Sequence, residues 1–223
     1  DFSYTYSYNR LGNLMGRTGT DPDMTYTYGA GSAGPQAVTS VTRSAGGNLA
    51  FTYDPRGNMD GQFIGATLVY DYTFDVEGRL ASVMTNNETT TFFYDADGQR
   101  ILTDRPGDTF VYTPFPDFER EVAGSVVTER TTYTLAGQLI GVRVKVNSGS
   151  NEVYYTYTDH LGSVAAMSWA GGTFRDGSLA RYDPFGNYRT WPGSNLNPLI
   201  FDRGSTGNVH DDTGPYPRQN VGL

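Results

Sequence analysis

The sequence predicts an all-β fold, an array of β-hairpins that forms one long curled antiparallel sheet, an open strip. Three observations predict it. Gly (28), Thr (27), Tyr (17) and Phe (12) supply 84 of the 223 residues, which is an alphabet of pleated strands and tight turns. A seven-residue pattern of aromatic, Asp, two variable residues, Gly, polar and apolar recurs along the chain. Between its copies, apolar and polar residues alternate with the period of a strand.

The first strand is read from Phe2, Tyr4, Tyr6 and Tyr8, which share one face. It runs into the first, looser copy of the repeat, Tyr8-Asn9-Arg10-Leu11-Gly12-Asn13-Leu14. Clearer copies follow at Tyr53-Asp54-Pro55-Arg56-Gly57, Phe74-Asp75-Val76-Glu77-Gly78 and Tyr94-Asp95-Ala96-Asp97-Gly98. Another loose copy is Tyr133-Thr134-Leu135-Ala136-Gly137, and the last two are Thr158-Asp159-His160-Leu161-Gly162 and Tyr182-Asp183-Pro184-Phe185-Gly186. Asp-x-x-Gly is a type I turn signature: the Asp carboxylate accepts a backbone N–H and Gly takes the last position. Pro55 and Pro184 stand where a fixed φ suits that turn. A left-handed Gly after the turn starts a bulged hairpin.

The repeat glycines are spaced 45, 21, 20, 39, 25 and 24 residues apart. The two long gaps each hide a degenerate copy. Tyr26-Thr27-Tyr28 through Val41 is expected in the first, with Gly29 to Gly34 as a flexible hairpin tip. Asp104-Arg105-Pro106-Gly107 through Tyr112 is expected in the second, and Asp117 to Val122 carries a weak helical signal. Strands at Tyr70-Asp71-Tyr72-Thr73-Phe74 and Val153 to Tyr157 keep the alternation. One such unit cannot bury its faces alone, so stacked units share a sheet with nearest-neighbour energetics. No change of composition marks a domain boundary, and residues 1–223 read as a single repeat region.

The composition also excludes functions. A net charge of −8 opposes nucleic-acid binding. The absence of Cys removes disulfides, thiolate metal sites and a cysteine nucleophile. No apolar run is long enough for a membrane helix. The chain opens on Asp1 without a leader, as in a mature product or a piece of a longer polypeptide.

No catalytic, cofactor or metal residue is assigned. His160 beside Asp159 sits in a repeat turn, and His210 with Asp211 and Asp212 is too sparse for a zinc site. Asp95-Ala96-Asp97-Gly98 lacks the flanking ligands of a calcium loop. Asn87-Glu88-Thr89 is a glycosylation sequon and marks an exposed loop. The tyrosine rows favour ladder packing between strands, with glycan binding as the alternative.

Tyr-Asp-x-x-Gly at this period resembles the YD repeat of Rhs proteins, toxin-complex C components and teneurins. Three ordered elements strengthen the resemblance: Thr158-Asp159-His160-Leu161-Gly162-Ser163, Arg181-Tyr182-Asp183-Pro184-Phe185-Gly186, and Asp202-Arg203-Gly204-Ser205-Thr206-Gly207. They are similar to elements at the start of the Rhs-associated core, placed here at 158–223. The resemblance implies a secreted or cell-surface shell that closes around a C-terminal toxin. The expected partners are the remainder of such a shell or further copies joined through open sheet edges. A self-assembling extracellular fibre and a module binding cell-surface glycans are the alternatives.

Overall fold

The computed structural model describes residues 3–19, 22–175, 178–182 and 188–190. By packing, the chain divides into two compact units, Asp1–Thr89 and Thr90–Leu223. Among the described residues there is no helix, and none therefore long and apolar enough to cross a membrane.

The first unit is an antiparallel meander: β1 (Thr5–Tyr8), β2 (Leu14–Thr18), β3 (Met24–Tyr28), β4 (Val38–Arg43), β5 (Leu49–Tyr53), β6 (Met59–Ile64), β7 (Thr67–Phe74) and β8 (Leu80–Thr85). Each strand pairs with its neighbour in sequence. Register puts Tyr26, Val41 and Leu49 on one face, where Val41 is buried. Tyr72 and the buried Val83 pair on that face too. Thr25, Thr42, Thr52 and Thr73 occupy the opposite, exposed face. The threonine–aromatic alternation is thus a solvent face and a packed face. Tyr70 and Tyr72 share the packed face and stack at 5.9 Å between ring centroids.

The second unit begins within β9 (Glu88–Tyr94) and continues through β10 (Arg100–Arg105), β11 (Thr109–Phe115), β12 (Phe118–Ala123), β13 (Val126–Leu135), β14 (Gln138–Val146), β15 (Glu152–Thr158) and β16 (Val164–Trp169). A short pair, β17 (Arg181–Tyr182) and β18 (Tyr188–Thr190), follows. One face of this meander is buried: Phe92, Thr103, Val111, Thr128, Arg130, Val142, Val144, Tyr154, Thr156 and Met167. Val142, Val144, Tyr154, Val164, Met167 and Ala180 form its core, with Leu139 and Tyr182 against them. The other face exposes Phe93, Tyr112, Tyr133, Tyr155 and Tyr157.

Asp117 to Val122 is extended, not helical. Asp117 lies in the turn and the rest in β12, because alternation places Glu119 and Glu121 together on the face where Arg130 of β13 meets both. The chain after β16 turns back along that strand. Arg175 N–H donates to Met167 O (3.0 Å), Ala180 N–H to Ala165 O (2.8 Å), and the buried Ser178 hydroxyl bonds both backbone groups of Met167. The guanidinium of Arg175 lies over the Tyr154 and Trp169 rings. The far edge of β16, expected to be open, is therefore covered.

Candidate functional site

In each unit the repeat turns lie at one end of the strands, at every second connection. Their design is constant. Asp54 Oδ1 accepts the N–H groups of Arg56 (2.8 Å) and Asn58 (2.9 Å). Asp95 Oδ1 accepts those of Asp97 and Gln99, and Asp159 Oδ1 those of Leu161 and Ser163. Asp75 Oδ1 accepts the N–H of Arg79, whose Nε donates to Oδ2 at 2.7 Å. A reciprocal backbone pair closes each turn, as in Asp54 N–H to Asn58 O and Gly57 N–H to Asp54 O. Gly57, Gly78, Gly98 and Gly162 all have φ between 79° and 90°. One carboxylate oxygen thus satisfies two backbone donors that the turn would otherwise leave unpaired.

Register shifts immediately before these turns, at Thr52/Tyr53, Thr73/Phe74 and Tyr157/Thr158, so each hairpin is bulged as its sequence predicts. Tyr53, Phe74 and Tyr94 pair across the bulge with Met59, Leu80 and Arg100. Asp183 and Gly186 lie outside the described residues, as do Phe2, the 202–207 element and His210 with Asp211 and Asp212.

A link between copies is not apparent from the motif alone. The hydroxyl of a repeat tyrosine donates to the carbonyl of the residue that follows the preceding turn. Tyr28 reaches Leu14 O (2.8 Å), Tyr53 reaches Val38 O (2.7 Å) and Tyr182 reaches Val164 O (3.0 Å). Burial pushes the Tyr28 and Tyr53 phenols above their ordinary pKa, so both are protonated donors at neutral pH. Thr113 and Thr156 place Oγ1 on Arg100 O and Leu139 O in the corresponding position.

The same rule locates the hidden copies. Tyr28 pairs with Val38 across a bulge, and Gly29 N–H to Ala37 O takes the place of the closing Asp bond. The first hidden copy is therefore Tyr28 to Val38, within the span expected, with the glycine-rich tip inserted. The second is not at Asp104–Tyr112, whose turn lies at the opposite ends of the strands. It is the shortened connection between Phe115 and Phe118.

The loose copy at Tyr133 has Thr where Asp belongs. Without that acceptor it contracts to a two-residue turn between Leu135 and Gln138, with Ala136 at φ 51° and Gly137 at φ 79°. Holding an L residue left-handed costs roughly 1–2 kcal/mol, and glycine's extra unfolded-state freedom returns about half of that. Ala136→Gly is expected to raise stability by about 0.5–1 kcal/mol, read from urea midpoints.

The turn aspartates make the fold acid-sensitive. The Asn58 side-chain amide, followed by backbone N–H groups, holds the Asp54 carboxyl below its ordinary pKa. Burial pushes Asp75 and Asp159 up, but hydrogen bonds from Arg79, and from Ser163 and Leu161, outweigh it and leave both lowered. A carboxylate with a depressed folded-state pKa adds stability that is complete above the unfolded value near 3.9 and fades below it. The melting temperature should hold between pH 7 and 5 and fall below about pH 4. Asn9 makes the same two bonds, to the N–H groups of Leu11 and Asn13, without a titrating group. The variant D54N/D75N/D159N is therefore expected to keep the fold and flatten the acid limb of the melting profile.

His160 is exposed on its turn. Among the described residues no three His, Asp or Glu side chains group as a metal site. Asn86 and Asn87 form a two-residue tip with both φ positive, so the sequon is exposed.

No family model matches the sequence. No curated protein matches it either. Solved structures do. The chain is similar to chains in the crystal structures of TcdB2-TccC3-Cdc42 (TM-score 0.64), TcdB2-TccC3 (0.63) and TcdB2-TccC3 without hypervariable C-terminal region (0.59). Each is 17% identical and is matched over 95% of this chain and 13% of its own. The likeness establishes the fold and agrees with the resemblance to Rhs-type YD-repeat proteins.

Proposed function

We propose that this chain is a non-enzymatic wall segment of an Rhs-type YD-repeat shell, secreted or held at the cell surface, whose complete polypeptide encloses a C-terminal toxin. The observation that carries the proposal is the likeness to TcdB2-TccC3 chains along 95% of this chain. The turn chemistry supports it. The aspartates that would be candidates for acid–base work are engaged by backbone N–H groups. The links from the Tyr28, Tyr53 and Tyr182 hydroxyls to the preceding copies suit a sheet that extends by adding units.

The intact mass of the native polypeptide carrying these residues tests the proposal, followed by electron microscopy of the purified particle. A mass several times 24.4 kDa, with further repeats and a hollow particle, is expected. A native product near 24.4 kDa that forms filaments would overturn it in favour of a fibre.

The exposed row of Tyr133, Tyr155 and Tyr157 favours a second reading, binding of cell-surface glycans. Its test is a glycan array, with any signal lost in Y133A/Y155A/Y157A.

A further inference from the structure

We infer that Tyr154, Trp169 and Glu152 form a guanidinium-binding site, that Arg175 fills it in cis, and that filling it locks the returning chain over the edge of β16. The ligand that can take its place is an arginine side chain of another molecule. The inference goes beyond the shell reading and does not depend on it. Tyr154 on β15 and Trp169 on β16 face each other in register, with ring centroids 4.9 Å apart and planes at 42°. The guanidinium carbon of Arg175 lies 5.3 Å from the Tyr154 centroid and 4.9 Å from that of Trp169, both within cation–π range. The Tyr154 hydroxyl donates to Glu152 Oε2, which fixes a carboxylate beside the ring pair. Tyr154 is 1% exposed and Trp169 40%, so the site joins a desolvated ring to an accessible one. A planar, weakly hydrated guanidinium suits such faces better than a compact, strongly hydrated ammonium. The cover that Arg175 anchors is not a strand. Among the described residues its ladder contact with β16 is the single bridge of Ser168 with Phe174. Trp169 N–H donates to Thr173 O and Arg175 N–H to Met167 O. The buried Ser178 hydroxyl then stands in for a strand residue, accepting from Met167 N–H (3.0 Å) and donating to Met167 O (3.1 Å). Ala180 N–H closes the run on Ala165 O. Few backbone bonds hold this cover, so the side-chain anchor at Arg175 sets how often it opens.

Amide exchange and NMR titration on the 223-residue protein test the lock and the site together. Arg175→Ala should speed exchange at the Met167 and Ala180 amides roughly tenfold, the worth of one partly buried cation–π contact. Ala166 and Ser168, whose ladder partners are Tyr157 and Tyr155, should be unchanged. Ethylguanidinium, a truncated arginine side chain, is then titrated in at concentrations well below denaturing ones. It should shift the Trp169 indole resonance of Arg175→Ala saturably, and ethylammonium should not. In the parent protein the midpoint should lie roughly tenfold higher, because Arg175 competes for the rings. As the ligand displaces Arg175 there, exchange at Met167 and Ala180 should rise toward the Arg175→Ala rate. Arg175→Lys keeps the stem and the charge, so it reads the same lock with the least disturbance of the fold, and it should exchange like Arg175→Ala. Unchanged exchange in Arg175→Ala, no saturable shift, an equal response to ethylammonium, or equal midpoints in the two proteins would overturn the inference. Parent-like protection in Arg175→Lys would reduce the anchor to charge alone and overturn it too. Faster exchange at Ala166 and Ser168 to the same degree would make Arg175 a support of the whole core, not a lock on the edge, and would also overturn it. None of these outcomes bears on the native mass, so a failure here and a failure of the shell reading are separate results.

Discussion

Arg130→Ala should lower the free energy of unfolding by about 3–5 kcal/mol, as expected for one partner removed from a buried ion pair. The Arg130 side chain on β13 is 4% exposed, and Nη1 donates to Glu119 and to Glu121 (2.9 Å). Both glutamates project from β12 onto the buried face of the second unit and are themselves largely covered, at 16% and 20% exposure. In register, Val111 and Thr128 flank Glu121 and Val144 lies opposite Arg130, and all three are buried on that face. Removing the guanidinium leaves two carboxylates side by side with part of their hydration lost, and this repulsion and desolvation set the size of the effect. The apolar triple variant R130M/E119L/E121L removes all three charges and should recover most of the loss. Urea denaturation of the three proteins makes the comparison. A single variant as stable as the parent would mean that water reaches the trio and that the face is not buried.

This trio marks where sequence reading stops. Glu119-Arg120-Glu121 offers no apolar alternation, and the partner that explains it lies 11 residues from Glu119, across a strand pair. A local pattern cannot display a long-range charge match, so the segment reads as a weak helix. The repeat turns are the reverse case. Each is complete within about five residues, from an Asp acceptor to a left-handed Gly, and the described copies at Asp54, Asp75, Asp95 and Asp159 each close on a backbone pair with a left-handed Gly. Where a residue of that short code is missing, the reading degrades in proportion. Thr134 in place of Asp leaves a contracted turn, and the copy before Phe118 has lost the motif, so its position is legible only from the Thr113 to Arg100 bond. Neither the tyrosine link between copies nor the burial of one face of the second unit could be read locally. Tyr28 and Leu14 are 14 residues apart, and Tyr154 and Tyr155 are neighbours of the same general type with opposite burial.

Gly98→Val should cost about 2–3 kcal/mol and lower the melting temperature by several degrees. Gly98 has φ 79° and closes the Asp95 turn by donating its N–H to Asp95 O at 3.1 Å. At the equivalent Gly57, Gly78 and Gly162, an added Cβ would meet no atom within 4 Å. The penalty in this class of turn is therefore conformational, not a collision, and it should follow the intrinsic cost of a left-handed backbone. Asn, which visits that region most readily, should be nearly neutral. Ala should cost about 1 kcal/mol, and Val more, because branching at Cβ adds to the strain. The order Asn, Ala, Val discriminates between mechanisms: a steric collision would rank by volume and make Asn worse than Ala. The turn also holds the register of β9 against β10, since the bulge at Arg100/Leu102 depends on where the left-handed residue falls. Gly98→Val should therefore speed amide exchange at Phe93 and Leu102 before it affects strands farther from the turn. An unchanged melting temperature would require a negative φ at this position, and a repeat turn built on Asp95 and Gly98 could not then be right.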